Sequence, residues 1–121
     1  MVKSNSYKDL VVWQKAMELV IEIYELTESF SKADAYGIVS QMQRASVSIP
    51  SNIAEGQKRG HKKEFLHFLY IAYGSGAELE TQLEICLRLH KIKELDYNRI
   101  TLKLIEIMKM LNRLTSSLKE R

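Results

Sequence analysis

One proline, one cysteine and five glycines are all that 121 residues supply of the types that punctuate, cross-link or loosen a backbone. So few turn formers leave little material for hairpins, and no window alternates strictly enough to form a strand, so the sequence predicts an all-α chain. A lone Cys86 excludes an internal disulfide; it falls on the apolar stripe of a helix, where a reduced, packed thiol is expected. No run approaches eighteen apolar residues, and the opening MVKSNSYKDL lacks the apolar core of a signal peptide, so a cytoplasmic location is expected. This length makes one domain, residues 1–121, with enough chain for a real core.

Catalytic patterns are scarce as well. There is no phosphate-cradling glycine loop, no nucleophile elbow, and no paired acid and base with an orienting group. Glu64 and His67 form one Glu-x-x-His pair, but di-iron chemistry in a bundle needs a second pair and further carboxylates, and the chain has no second pair. Cys86 and His90, four apart, would share a helical face, yet two ligands do not make a site. The expectation is a protein that is not an enzyme, with no catalytic residue, metal or cofactor.

What is present is helical periodicity. Ile38, Met42, Ala45, Ile49 and Ile53 recur in steps of three and four and stay in phase across Pro50. If the chain broke at the proline, aliphatic Ile49 would occupy a helix N-cap and offer the orphan amides no acceptor. The segment therefore reads as one helix kinked at Pro50. Losing a backbone bond to the Ser46 carbonyl costs roughly 3 kcal/mol, which side chains at Ser46, Ser48, Ser51 or Asn52 are placed to offset.

Three more helices follow from the same pattern. Ser6 and Asp9 resemble a capping box opening a first helix through Trp13, Ala16, Val20, Ile23 and Thr27 towards Phe30, and Ser31 with Asp34 repeats the device for the second. The third runs from near His61 to near Lys91 with Phe65, Leu69, Ala72, Gly76, Leu79, Leu83 and Cys86 as its stripe. After the link KIKELD, the fourth carries Ile100, Leu104, Ile107, Leu111, Leu114 and Leu118. Short links make neighbours antiparallel, so the expected fold is an up-down-up-down four-helix bundle.

Four helices leave apolar surface over. Residues 65–73, FLHFLYIAY, are apolar or aromatic nearly all round, and the polar side of the first helix narrows to Glu18, Glu22 and Glu25. A homo-oligomer that covers the excess through helices one and three is expected, in preference to a monomer with an apolar surface. Small residues Ala72, Gly74, Ser75 and Gly76 call for a close neighbour, for which the second helix is the expected partner, with Ser75 meeting the carbonyl freed by Pro50. Arg44, Ser48, Asn52, Glu55, Ser75 and Glu78 are expected to form a structural polar cluster at that level, Arg44 balancing the carboxylates.

RASVSIPSNIAEG at 44–56, KEFLHFLYIAYGSGAELET at 63–81 and YKDLVVWQKAMEL at 7–19 together resemble the four-helix-bundle proteins encoded in intervening sequences of bacterial 23S ribosomal RNA genes. The resemblance spans residues 7 to about 90. It implies an up-down bundle assembled as a ring-like homopentamer, with no known enzymatic activity. A related branch serves as the accessory protein of diversity-generating retroelements, which implies RNA and a reverse transcriptase as possible partners. His61 departs from the Ser or Thr usual before Glu64, and Gly76 replaces a bulky apolar residue.

Charge is unevenly spread. Residues 1–57 carry five Lys/Arg against seven Asp/Glu, residues 58–87 four against four, and residues 88–121 nine against four, for a net +3. Lys58, Arg59, Lys62 and Lys63 cluster at one link, and Arg88, Lys91 and Lys93 at the next. Arg99, Lys103, Lys109 and Arg113 form a ridge along the fourth helix. A ring would repeat each cluster into a belt able to hold phosphate backbones in a salt-dependent way. Against this, exposed basic helices are commonly just solvated, and the acidic stripe of helix one is able to pair with the ridge across a subunit boundary. No regular aromatic interleaving forms a stacking platform, so contact should follow backbone or shape. The expected function is binding of structured RNA or another nucleic acid through Lys58, Arg59, Lys62, Lys63, Arg99, Lys103, Lys109 and Arg113. The alternative is an oligomeric protein-interaction scaffold that needs no nucleic acid.

Overall fold

In a computed structural model of the chain, residues 6–120 are described. They form four helices and no strand: α1 (Val11–Thr27), α2 (Ser40–Arg59), α3 (Lys62–Arg88) and α4 (Glu94–Lys119). No helix among the described residues is long and apolar enough to cross a membrane.

The predicted stripes are the buried faces. Ala16, Leu19 and Ile23 of α1, Met42, Ile49 and Ile53 of α2, Leu69, Leu79 and Leu83 of α3, and Ile100, Leu104, Ile107 and Leu111 of α4 are fully enclosed in one core. Burying each of the larger side chains contributes about 1.5–3 kcal/mol, which outweighs weak local propensity. At the ends of the stripes Trp13, Phe30, Ile38 and Phe65 are only half-buried, as is Leu114 within the fourth, while Leu19, Gln82 and Thr115 are buried without having been expected there.

α1 packs on α2 and α4, and α3 packs on the same two helices. Residue pairs fix the registers. Lys15, Glu18 and Glu22 of α1 meet Glu106, Lys103 and Arg99 of α4. Met42 and Ser48 of α2 meet Cys86 and Ser75 of α3. Tyr73 and Glu84 of α3 meet Asn112 and Tyr97 of α4.

Helix starts differ from the sequence reading. The Ser6 hydroxyl accepts the Lys8 amide, but this caps only a 3₁₀ turn, Tyr7–Asp9; extended backbone at Leu10 then delays α1 to Val11. Ser31 donates to the Asp34 carboxylate at 3.2 Å, and the 3₁₀ turn Lys32–Asp34 runs into a π-helical stretch, Ala35–Val39, rather than directly into α2. Gly37 takes a non-helical conformation (φ −111°, ψ −108°), and α2 begins only at Ser40. In both places a local hydroxyl–carboxylate pattern accompanies a 3₁₀ turn, and a residue outside helical geometry, Leu10 or Gly37, separates it from the α-helix. α4 starts earlier than expected, at Glu94, with Glu94 and Asp96 in its first turn, where carboxylates favour the positive end of the helix dipole.

α2 is continuous through Pro50. None of the four polar side chains proposed to satisfy the Ser46 carbonyl does so. Ser46 Oγ donates to Gln43 O at 2.9 Å, Asn52 Nδ2 donates to Ser48 O and Oγ at 2.7 and 2.9 Å, and Ser48 shares a 2.7 Å bond with Ser75. Gly76 does not serve the α2–α3 contact either. A Cβ there would run into Met108 of α4, and Gly74 faces open space. Gly56 is the glycine that α2 needs: a Cβ on it would lie 2.7 Å from Phe68 Cβ and 3.3 Å from the Phe65 carbonyl oxygen. Sequence proximity to Ser75 suggested the wrong neighbour because Gly76 lies on a different side of α3.

Candidate nucleic-acid interface

The turn between α2 and α3 gathers the first basic cluster. Gly60 closes α2 in the left-handed region (φ 77°), which costs glycine little, and extended His61 precedes α3 without a side-chain cap. Lys58, Lys62 and Lys63 are exposed on this turn. Arg59 is differently placed. Its Nη2 donates to Glu55 at 2.9 Å and its Nη1 to Glu64 at 3.4 Å, and the guanidinium sits 5.0 Å from the centre of the Phe68 ring. The bond to Glu55 chiefly holds its pKa above the ordinary arginine value. Arg59 therefore ties the two helices together, while Lys58 and Lys63 make no ion pair among the described residues.

The ridge on α4 divides in two. Lys103 bridges Glu18 at 2.8 Å and Glu22 at 2.7 Å, Arg99 pairs with Glu22 and with Asp96 at 3.5 Å, and Lys15 of α1 reaches Glu106 at 3.3 Å. The hydrogen bond from Lys103 lowers the pKa of Glu18, and the bonds to Glu18 and Glu22 raise that of Lys103. The acidic stripe of α1 thus meets the ridge within one chain. Lys109 and Arg113 stay exposed with no ion pair among the described residues, Arg113 beside Asn112, Ser116, Ser117 and Glu120 in a shallow depression. At the α3–α4 link, Arg88 pairs with Glu84 at 2.9 Å and Lys91 with Asp34 at 2.8 Å, while Lys93 is exposed.

Only part of the expected polar cluster assembles. Ser48, Asn52 and Ser75 form one hydrogen-bonded chain across α2 and α3. Arg44 and Glu78 line a depression with Gln41, Ala45 and Ser48 but make no ion pair among the described residues. Glu55 turns away to Arg59. Of the two candidate ligand pairs, Glu64 is engaged by Arg59, and Cys86 is separated from His90 by the end of α3. Cys86 is fully buried with its thiol 3.6 Å from Met42 Sδ, and burial pushes its pKa up; His90 is exposed in the left-handed region, at φ 57°.

The fold also brings in a residue that the sequence reading missed. Lys8 and Lys58 line one open depression of about 720 Å³, together with Ser6, Tyr7, Gln57 and Gly60. Fifty residues separate the two lysines, so no local pattern could have joined them. Tyr7, which lines the same depression, stands edge-on to the sole tryptophan, Trp13.

Four long helices around a single apolar core, with basic residues gathered at one inter-helix turn and along one helix, define an all-α class of small protein. Residues 8–113 match the profile of the 23S rRNA-intervening sequence protein family, and the chain belongs to that family. It is similar to a protein of unknown function from the S23 ribosomal protein family of Bacteroides thetaiotaomicron, with 27% identity and a TM-score of 0.79 over 87% of this chain and 98% of that one. No curated protein matches the chain significantly.

Proposed function

We propose that this chain is a non-enzymatic RNA-binding protein, built as an up-down-up-down bundle kinked at Pro50 and assembled into a ring-like homo-oligomer, with five subunits as the expected number. The observation that carries the RNA reading is the exposure of Lys58, Lys62 and Lys63 on one turn. Net charge of +3 supports it, and a ring multiplies each cluster around an axis. The residue pairs between neighbouring helices run in opposite numerical order, as an up-down arrangement requires. Exposed Met17, Ile21 and Tyr24 on α1 and Tyr70, Ile71 and Ile85 on α3 offer the surface that subunit contacts would cover. The same residues favour the second reading, a scaffold that binds a partner polypeptide such as a reverse transcriptase.

A salt titration of binding to a structured RNA separates the two. Wild type should lose affinity steeply with salt, and a variant with Lys58, Lys62 and Lys63 all changed to Gln should bind more weakly with a slope shallower by about 0.9 per lost phosphate contact. Absence of binding at low salt sinks the RNA reading and leaves the scaffold. Sedimentation of wild type beside Ile21→Glu tests assembly: a monomeric wild type rules the ring out.

A further inference from the structure

We propose that the depression between the N-terminal turn and the end of α2 is a seat for one nucleotide of a single-stranded segment, with phosphate at Lys8 and Lys58 and the base against Tyr7. This deepens the RNA reading above and rests on it.

Lys8 and Lys58 are both exposed and line the same depression, and neither side chain makes an ion pair among the described residues. No carboxylate lines it among the described residues. Two exposed ammonium groups lining one depression recognise a phosphodiester better than a neutral ligand. Arg59, which the sequence placed in the same cluster, is held away by Glu55 and Glu64, so Lys8 supplies the second charge that the turn lacks. Tyr7 adds the other half. It lines both this depression and an adjoining, mainly apolar groove that includes Trp13, Met17, Val47, Pro50 and Ser51. Its ring is only half-buried and stands edge-on to Trp13, with centroids 5.2 Å apart at 66°. A charged cavity that continues past an aromatic ring into an apolar groove matches the division of a nucleotide into phosphate and base.

Trp13 is the only tryptophan, so its fluorescence reports occupancy directly. The probes are pentauridylate and inorganic tripolyphosphate, titrated into full-length protein, with filter binding of a structured RNA run in parallel. Pentauridylate should change Trp13 emission, and Lys8→Gln/Lys58→Gln should weaken that response roughly tenfold. An equal-charge control, Lys32→Gln/Lys93→Gln, should keep it. Tyr7→Leu should lose about tenfold for pentauridylate, and Tyr7→Phe, which keeps the ring, should retain it. Unchanged affinity in Lys8→Gln/Lys58→Gln, or equal loss in the control, overturns the seat. Equal binding of tripolyphosphate and pentauridylate with no effect of Tyr7→Leu also overturns it, because the site would then hold free phosphate. If structured RNA is retained while Trp13 stays silent, the seat fails and the RNA reading survives. If Trp13 responds and structured RNA is not retained, the protein binds single strands alone, which supports the seat and overturns binding of structured RNA.

Discussion

Gly56 lies so close to Phe68 that a Cβ added to the glycine would fall 2.7 Å from the phenylalanine Cβ, with the Phe65 backbone oxygen at 3.3 Å behind it. Neither obstacle is the far end of a flexible side chain. Gly56→Ala should therefore destabilise the protein by about 1–2 kcal/mol, the overpacking cost exceeding the gain in helix propensity. Gly74 is the matched control on the neighbouring helix, with nothing within 4 Å of an added Cβ. Gly74→Ala should stabilise by about 0.5–1 kcal/mol. Urea midpoints of the two variants should move in opposite directions; a shift of the same sign would show that the space around Gly56 is larger than it looks.

His90 ends α3 with φ of 57°, and the amide of Lys91 reaches back to the Cys86 carbonyl at 2.8 Å. That closure is a position glycine prefers, since a Cβ in the left-handed region costs about 1 kcal/mol. Thermal denaturation of His90→Gly should show a higher midpoint. A lower one would mean that the histidine ring contributes a contact worth more than the backbone strain.

Acid should weaken the fold through a small set of carboxylates. Hydrogen bonds lower the pKa of Glu18 through Lys103, of Asp34 through Lys91, and of Glu84 through Arg88 and then Tyr97. For a depressed carboxylate, the unfolded chain takes up its proton first as pH falls. The stabilisation is complete above the ordinary carboxylate range and is lost as pH drops through the lowered folded values, below about pH 4.5. All three groups are solvated, so each effect is small. The combined variant Glu18→Gln/Asp34→Asn/Glu84→Gln should show a flatter fall in urea midpoint between neutral pH and pH 3; an unchanged profile would assign the acid sensitivity elsewhere.

On α4 the ridge should split by function. Lys109→Gln/Arg113→Gln removes charges that have no ion pair among the described residues, and should weaken RNA binding while leaving the melting temperature unchanged. Arg99→Gln/Lys103→Gln breaks the network with Glu18, Glu22 and Asp96, and should lower stability more than RNA affinity. Measuring both quantities on both variants checks the assignment, and identical behaviour would contradict it.

The helical class and the four buried stripes were legible without coordinates. Leu69, Ala72, Gly76, Leu79, Leu83 and Cys86 fall inward because a period near 3.6 puts them on one face, and burial of that face dominates the energetics. The link QKRGHKK was legible from its glycine and basic residues, but α2, expected to end near Gly56, runs on to Arg59. Helix starts were not, because a hydroxyl three residues before a carboxylate stabilises one turn whether or not a helix follows; Leu10 and Gly37 decided that through their backbone angles.

What the sequence could not determine was which charges are already spent. Lys58, Arg59, Lys62 and Lys63 are equivalent as a basic string, yet Arg59 alone stands over Phe68 between Glu55 and Glu64. Lys103 and Lys109 lie six residues apart on one helix, and only Lys103 meets the acidic stripe of α1. Periodicity determined the core because burial depends on the face a residue occupies within its own helix. The availability of a charge, and the meeting of Lys8 with Lys58, depend on distances between segments far apart in the chain, and those were decided only when the helices packed.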